Sequence, residues 1–263
     1  NEFLALRSII RNSASMHCFF GNLYLKANTP GKAQREYVAA LQLDPRLAQA
    51  HSGIAYVRLL EAWFLWAADP RAAMVEAMAN ARAAIAADPL DSFAHAALGM
   101  VLAVGRKHDE ALAAGRRSVD LNPSNALGHS VLSITHVFRD EPDLGIKAAE
   151  ASIRISPNDP IWLTTSLTGL ALARHMAGDY AKAADAARLA VQCGPSFPSA
   201  WRCLANSLGQ LGQLEEAREA LDHVLALIPG FTTEQAARAS MGFRDEAVFQ
   251  RWLEGLRKAG WPG

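Results

Sequence analysis

Apolar residues return along this chain at intervals of three and four, with polar residues between them, and a proline cuts off one stretch after another. The 3.6-residue period predicts amphipathic helices, and proline, with no N–H and a fixed φ, stops a helix and redirects the chain. The stops fall at Pro45, Pro89, Pro123, Pro157, Pro195 and Pro229, spaced by 44, 34, 34, 38 and 34 residues. Each interval predicts two helices. The first covers roughly the first 14 positions, a short turn follows in which Asn28, Gly178 or Gly212 can take the left-handed conformation, and the second ends just before the proline.

With each proline counted as position 32, and helix A of the second unit counted forward from Pro45, small residues recur in register. Position 8 reads Gly21, Ala55, Gly99, Ser133, Ala171 and Ala205; position 20 reads Ala33, Ala77, Ala111, Gly145, Ala183 and Ala217. Position 27 reads Ala40, Ala84, Ser118, Ser152 and Ala190, with Val224 the one larger member. A bigger side chain at a helix crossing would push the axes apart and leave voids.

Three of the five spacings equal the 34-residue period of the tetratricopeptide repeat, and the chain resembles that family from about Ser13 to Gly230, best in GDYAKAADAARLAV, Gly178 to Val191. The resemblance implies an all-α fold, a right-handed superhelical solenoid of about six helix-turn-helix units at 13–46, 47–90, 91–124, 125–158, 159–196 and 197–230. Residues 1–12, with Phe3, Leu6, Ile9 and Ile10, are expected as an N-terminal helix or a linker from an upstream domain. Residues 231–263 carry Phe243, Val248, Phe249, Trp252, Leu253 and Leu256 at helical spacing and are expected as C-terminal capping helices. Two units depart from the period. Ten extra residues in the second are expected to lengthen its first helix through Glu61 to Trp66 before Asp69-Pro70 caps the next helix, and four more fall near Asn158 to Leu163.

The same resemblance implies a concave face built from the first helix of each unit. Its candidate partner-binding residues are Asn22, Lys26, Tyr56, Leu60, Phe93, Met100, Leu127, Ile134, Phe138, Leu172, Met176, Arg202 and Asn206, an apolar middle between two polar ends. Only Lys26 and Arg202 are basic, so a charged clamp for acidic C-terminal peptides is not expected. Two readings of the apolar middle stand: a groove for an amphipathic helix or apolar peptide, or a superhelix tight enough for these side chains to fill its own interior. Trp63, Phe64 and Trp66 read mainly as packing; on a protruding helix they would offer a second contact, to a partner or in a homodimer.

Charge and composition narrow the function. The 26 basic and 26 acidic residues cancel, which argues against nucleic acid as a partner. The longest apolar stretch, around Ala96 to Val104, is about half of the roughly 20 residues a membrane span needs. Cys18, Cys193 and Cys203 have no metal-ligand spacing and read as reduced packing residues, which favours a cytoplasmic setting, or a periplasmic one if a membrane span lies upstream. No motif for an enzyme, a cofactor or a metal is present. Histidine at position 4 of four units, His17, His51, His95 and His129, is too widely spaced to share a metal and stands where the family places a packed aromatic, as Trp201 does in the last unit.

At finer grain the chain resembles the C-terminal repeat region of bacterial class III adenylate or guanylate cyclases and related winged-helix regulators. The segments are DPRLAQAHSGIAYV (Asp44 to Val57), DPLDSFAHAALGMVLA (Asp88 to Ala103), RISPNDPIWL (Arg154 to Leu163) and FRDEAVFQRWLEGLRKAGWP (Phe243 to Pro262). This implies a regulatory or sensing scaffold cut from a larger signalling protein, as the opening Asn1 also suggests, with any cyclase domain outside the segment. The alternative is a free-standing assembly or chaperone-like adaptor.

Overall fold

The computed structural model describes residues 13–27 and 29–263, with the side chains of Lys26, Pro160 and Ile161 left aside. The expected helix over 1–12 and the turn at Asn28 lie outside the described residues. Fourteen helices and no strand occur among those described: α1 (Ala14–Lys26), α2 (Pro30–Leu43), α3 (Ala48–Trp63), α4 (Pro70–Ala87), α5 (Ser92–Val104), α6 (His108–Leu121) and α7 (Ala126–Phe138), then α8 (Pro142–Ile155), α9 (Pro160–Met176), α10 (Tyr180–Cys193), α11 (Pro198–Leu211), α12 (Leu214–Leu227), α13 (Glu234–Ser240) and α14 (Glu246–Lys258).

The first twelve helices form six pairs, each packed on the next, and the leading helices α1, α3, α5, α7, α9 and α11 also pack on one another in order, making one continuous inner wall. Helix starts follow local chemistry. The Asp69, Asp91, Asn125 and Asp179 side chains accept N–H groups of the first turn, and Pro30, Pro70, Pro142 and Pro198 open helices where a missing N–H is harmless. The small residues do what their register requires. Ala33, Ala55, Ala77, Ala111, Ala171, Ala183, Ala205 and Ala217 are all fully buried at helix contacts.

The two departures from the period are absorbed differently. α9 has 17 residues against 13 in α5 and α7, one additional turn. The second unit does not extend its first helix to Trp66. α3 stops at Trp63 because the chain turns through Leu65, whose φ of 57° is left-handed, before Asp69 and Pro70 start an 18-residue α4. The turns between paired helices take a left-handed residue as expected at Gly178 (φ 82°) and Gly212 (φ 75°), but Arg106 (φ 62°) and Asp140 (φ 63°) occupy it in the third and fourth pairs.

Three of the four histidines at position 4 donate to a backbone carbonyl. Nε2 of His51, His95 and His129 lies 3.0, 2.9 and 3.0 Å from the carbonyl oxygen of Pro45, Pro89 and Pro123, and Trp201 Nε1 donates to Pro195 in the same way at 2.7 Å. His17 instead contacts Glu36 through Nδ1 at 2.6 Å. All three cysteines are free.

Candidate binding surface

The inner wall divides into a filled middle and an open end. In the middle, residues 231–261 lie against the leading helices. α14 buries Val248, Phe249, Trp252, Leu253 and Leu256 and crosses α11 so closely that a Cβ on Gly209 would stand 2.0 Å from the carbonyl oxygen of Gly255. Asn206 Nδ2 donates to Trp252 O at 2.6 Å, and Trp261 Nε1 ties the end of the segment back to Phe231 O at 2.7 Å. α13 reaches α3, where Trp63 Nε1 donates to Ser240 O at 2.6 Å.

This arrangement accounts for most residues expected on the concave face. Met100, Ile134, Leu172 and Arg202 surround a gap of about 40 Å³ closed by Met241 and Trp252. Phe138 meets Phe243 edge-on at 5.2 Å between ring centres, and Leu127, Met176 and Asn206 are buried. Arg202 is the extreme case. It is 2% exposed, its Nη atoms donate to Ser240 Oγ and Ser199 Oγ, its guanidinium lies 5.4 Å from the Phe231 ring centre, and burial pulls its pKa down to about 10. Trp63 and Phe64 are buried and stacked at 5.6 Å, whereas Trp66 stays 37% exposed and donates to Leu227 O at 3.0 Å.

At the other end a cavity of about 620 Å³ remains. Its lining includes Asn22 of α1, Tyr56 and Leu60 of α3, Phe93 of α5, Trp162 of α9, Phe197 and residues 193–196. The rings of Tyr56, Phe93 and Trp162 lie 6.0 to 6.3 Å apart, and Phe64 meets Phe197 edge-on at 5.3 Å. Asn22 accepts the Tyr37 hydroxyl at 2.7 Å. Burial raises the Tyr56 phenol to about 12, opposed by its hydrogen bond with Thr165, so it stays neutral. The Lys26 side chain, expected here, lies outside the described residues. The wall thus joins the first three helix pairs to the last two. Trp162 comes from the added turn of α9 and Phe64 from the insertion after α3, so both departures from the period supply a wall of the cavity. The irregular spacing had flagged both segments, with Phe64 expected mainly as packing and otherwise as a second contact, while Phe197, which precedes α11, carried no signal.

No group of three or more His, Cys, Asp or Glu suited to a metal occurs among the described residues, and no helix among them is long and apolar enough to cross a membrane.

Residues 204–231, the second half of α11 through α12, match the family described as tetratricopeptide repeat. No curated protein matches. Among solved structures, a chain of the APC/C hetero-tetramer Cut9-Hcn1 aligns over 87% of this chain and 42% of its own length, at 17% identity and a TM-score of 0.65. The fold is that of a tetratricopeptide-repeat solenoid. Two further solved structures align over most of both chains. A thermophilic tetratricopeptide-repeat protein of Thermus thermophilus, TTC0263, covers 77% of this chain and 99% of its own at 18% identity and a TM-score of 0.55. Pseudomonas aeruginosa pilF covers 82% and 92% at 19% identity and 0.52. This solenoid spans less than half of the Cut9-Hcn1 chain it matches.

Proposed function

We propose that this solenoid is a non-catalytic interaction module that holds a partner polypeptide by inserting the partner's apolar side chains into the aromatic cavity. The observation that carries this reading is the cavity itself. Five aromatic side chains face a space of about 620 Å³ that no described residue fills, within the roughly 300 to 1,000 Å³ range of ligand pockets. Aromatic anchors in a concave site supply large contact area at little rotamer entropy, and they dominate many polypeptide interfaces. The proposal includes the division of residues 13–230 into six units and the role of the chain as a regulatory or sensing part of a larger bacterial signalling protein of the cyclase or winged-helix regulator type. The four segments that resemble that class support it.

The test is a displayed library of short random peptides selected on the wild-type chain. We expect enrichment of peptides with an aromatic or long aliphatic residue, and at least a tenfold loss of affinity in Phe93→Asp, which sets a charge among the rings. Leu189→Asp, on the outer face where Leu189 is 51% exposed, should bind as wild type. A folded Phe93→Asp protein that keeps full affinity for the selected peptides sinks the cavity reading.

A further inference from the structure

Residues 241–244 follow α13 and meet the inner wall as an extended peptide meets a receptor. Met241 has φ −128° and ψ 128°, so the backbone leaves α13 there, and neither the last carbonyls of α13 nor the residues that follow find partners within a helix. The solenoid satisfies them instead. Trp63 Nε1 donates to Ser240 O at 2.6 Å, His108 Nε2 contacts Gly242 O at 2.7 Å, and Arg106 Nη2 reaches Arg238 O and Met241 O at 3.2 and 3.5 Å. Arg244 N donates to Phe138 O at 2.9 Å. Met241 and Phe243 are buried, and Gly242 passes where a Cβ would stand 2.5 Å from Ala103 O and 2.7 Å from the Phe138 ring.

In the fifth and sixth helix pairs the left-handed turn residue is glycine; in the second it is Leu65, and in the third and fourth it is Arg106 and Asp140. Arg106 and Asp140 both direct their side chains to the C-terminal segment, Arg106 to the carbonyls above and Asp140 to Arg251 at 2.6 Å.

We propose that residues 240–244 are an internal ligand of the solenoid. The inner wall then recognises an extended polypeptide that carries an apolar residue, a glycine and an aromatic residue in succession, as in Met241-Gly242-Phe243, and a partner segment of that pattern competes with the chain's own. The inference rests on the interaction-module reading but concerns a different surface from the aromatic cavity.

The experiment uses the full chain and a labelled synthetic peptide of residues 236–246. In a Met241→Ala, Phe243→Ala double variant the occupant is weakened and the wall is untouched. Its affinity for the peptide, read by fluorescence anisotropy, is expected to exceed that of wild type at least tenfold. Adding Arg106→Ala and His108→Phe should remove the gain, and a peptide carrying Gly242→Val should not bind. A double variant that keeps its helical circular dichroism and binds no better than wild type overturns the proposal. If the double variant does not fold, hydrogen exchange on the wild-type chain decides. Amides of 241–250 exchanging by an opening that leaves α5 to α8 protected support the internal ligand; exchange of both only in one global unfolding event overturns it. Peptide selection that still depends on Phe93 would leave the interaction-module reading intact when this proposal fails.

Discussion

At the scale of single residues, position 4 shows how one hydrogen bond explains a recurring choice. His51, His95, His129 and Trp201 share a flat ring with an N–H that reaches the carbonyl of the proline six residues before. Histidine therefore replaces tryptophan here by keeping the donor and giving up ring area. His95→Trp should be tolerated, whereas His95→Phe keeps a flat ring and loses the donor, at about 1 kcal/mol in urea denaturation. Equal losses in both variants would show that packing alone fixes this position. His175 is different. It is 4% exposed, its Nδ1 lies 3.2 Å from Ser207 Oγ, and burial, with a smaller push from Arg251 and an opposing pull from Glu254, lowers its pKa from 6.5 to about 4. The folded state then resists protonation that the unfolded chain accepts. Stability is complete above about pH 6.5 and falls as the pH drops towards 4, by roughly 3 kcal/mol at the limit. His108, also lowered by burial against Arg139 and Arg244 and in spite of its bond to Gly242, adds in the same direction. Thermal denaturation from pH 7 to 4.5 checks this, and His175→Gln should flatten the slope; an unchanged slope removes His175 as its source.

At the scale of helices, the sequence was most legible where one packing rule repeats. The small residues at positions 8 and 20 return with each unit, and at position 27 in all but the last, so the crossings within and between pairs could be read from spacing, and the burial of Ala33, Ala77, Ala111, Ala183 and Ala217 agrees. The route of residues 231–261 was not legible, because it occurs once and its contacts reach far back along the chain: Trp63 to Ser240, His108 to Gly242, Asn206 to Trp252. Helical spacing in Val248, Phe249, Trp252 and Leu256 revealed a buried face but not what buries it. Signals did exist in Arg106 and Asp140, non-glycine residues at turns where the last two units use glycine, and in Gly209 and Gly255, glycines inside helices. Alanine at either glycine would gain about 1 kcal/mol of helix propensity. The crossing forbids it, since a Cβ on Gly255 would fall 2.0 Å from Asn206 Oδ1 and 2.2 Å from Asn206 O. Gly255→Ala should therefore cost about 2 kcal/mol net and lower Tm by roughly 4–8 °C, while a neutral or raised Tm would mean that α14 does not approach α11 this closely.

At the scale of the molecule, the C-terminal segment changes how the solenoid holds together. A stack of repeats is quasi-one-dimensional: each unit touches its neighbours, and changes in distant units add independently. Here Trp63 of α3 and Arg202 of α11 both hydrogen-bond Ser240, one to its carbonyl and one to its hydroxyl, so helices of the second and the sixth pair share one residue's position. Removing either bond loosens Ser240 and weakens the other before it is touched. The double-mutant cycle of Trp63→Phe and Arg202→Met should then show a coupling of about 0.5–1 kcal/mol in equilibrium unfolding, although a simple stack predicts none between these units. Met is the right replacement for Arg202, because it fills a similar volume without leaving a charge buried; much of the single-variant cost is expected to be offset by relief of that desolvation. The coupling should disappear in the Met241→Ala, Phe243→Ala background, where the segment no longer bridges the wall. Additivity within about 0.3 kcal/mol in the otherwise wild-type chain would mean that Ser240 transmits nothing between the two helices, and that the solenoid behaves as an ordinary linear stack despite the segment lying along it.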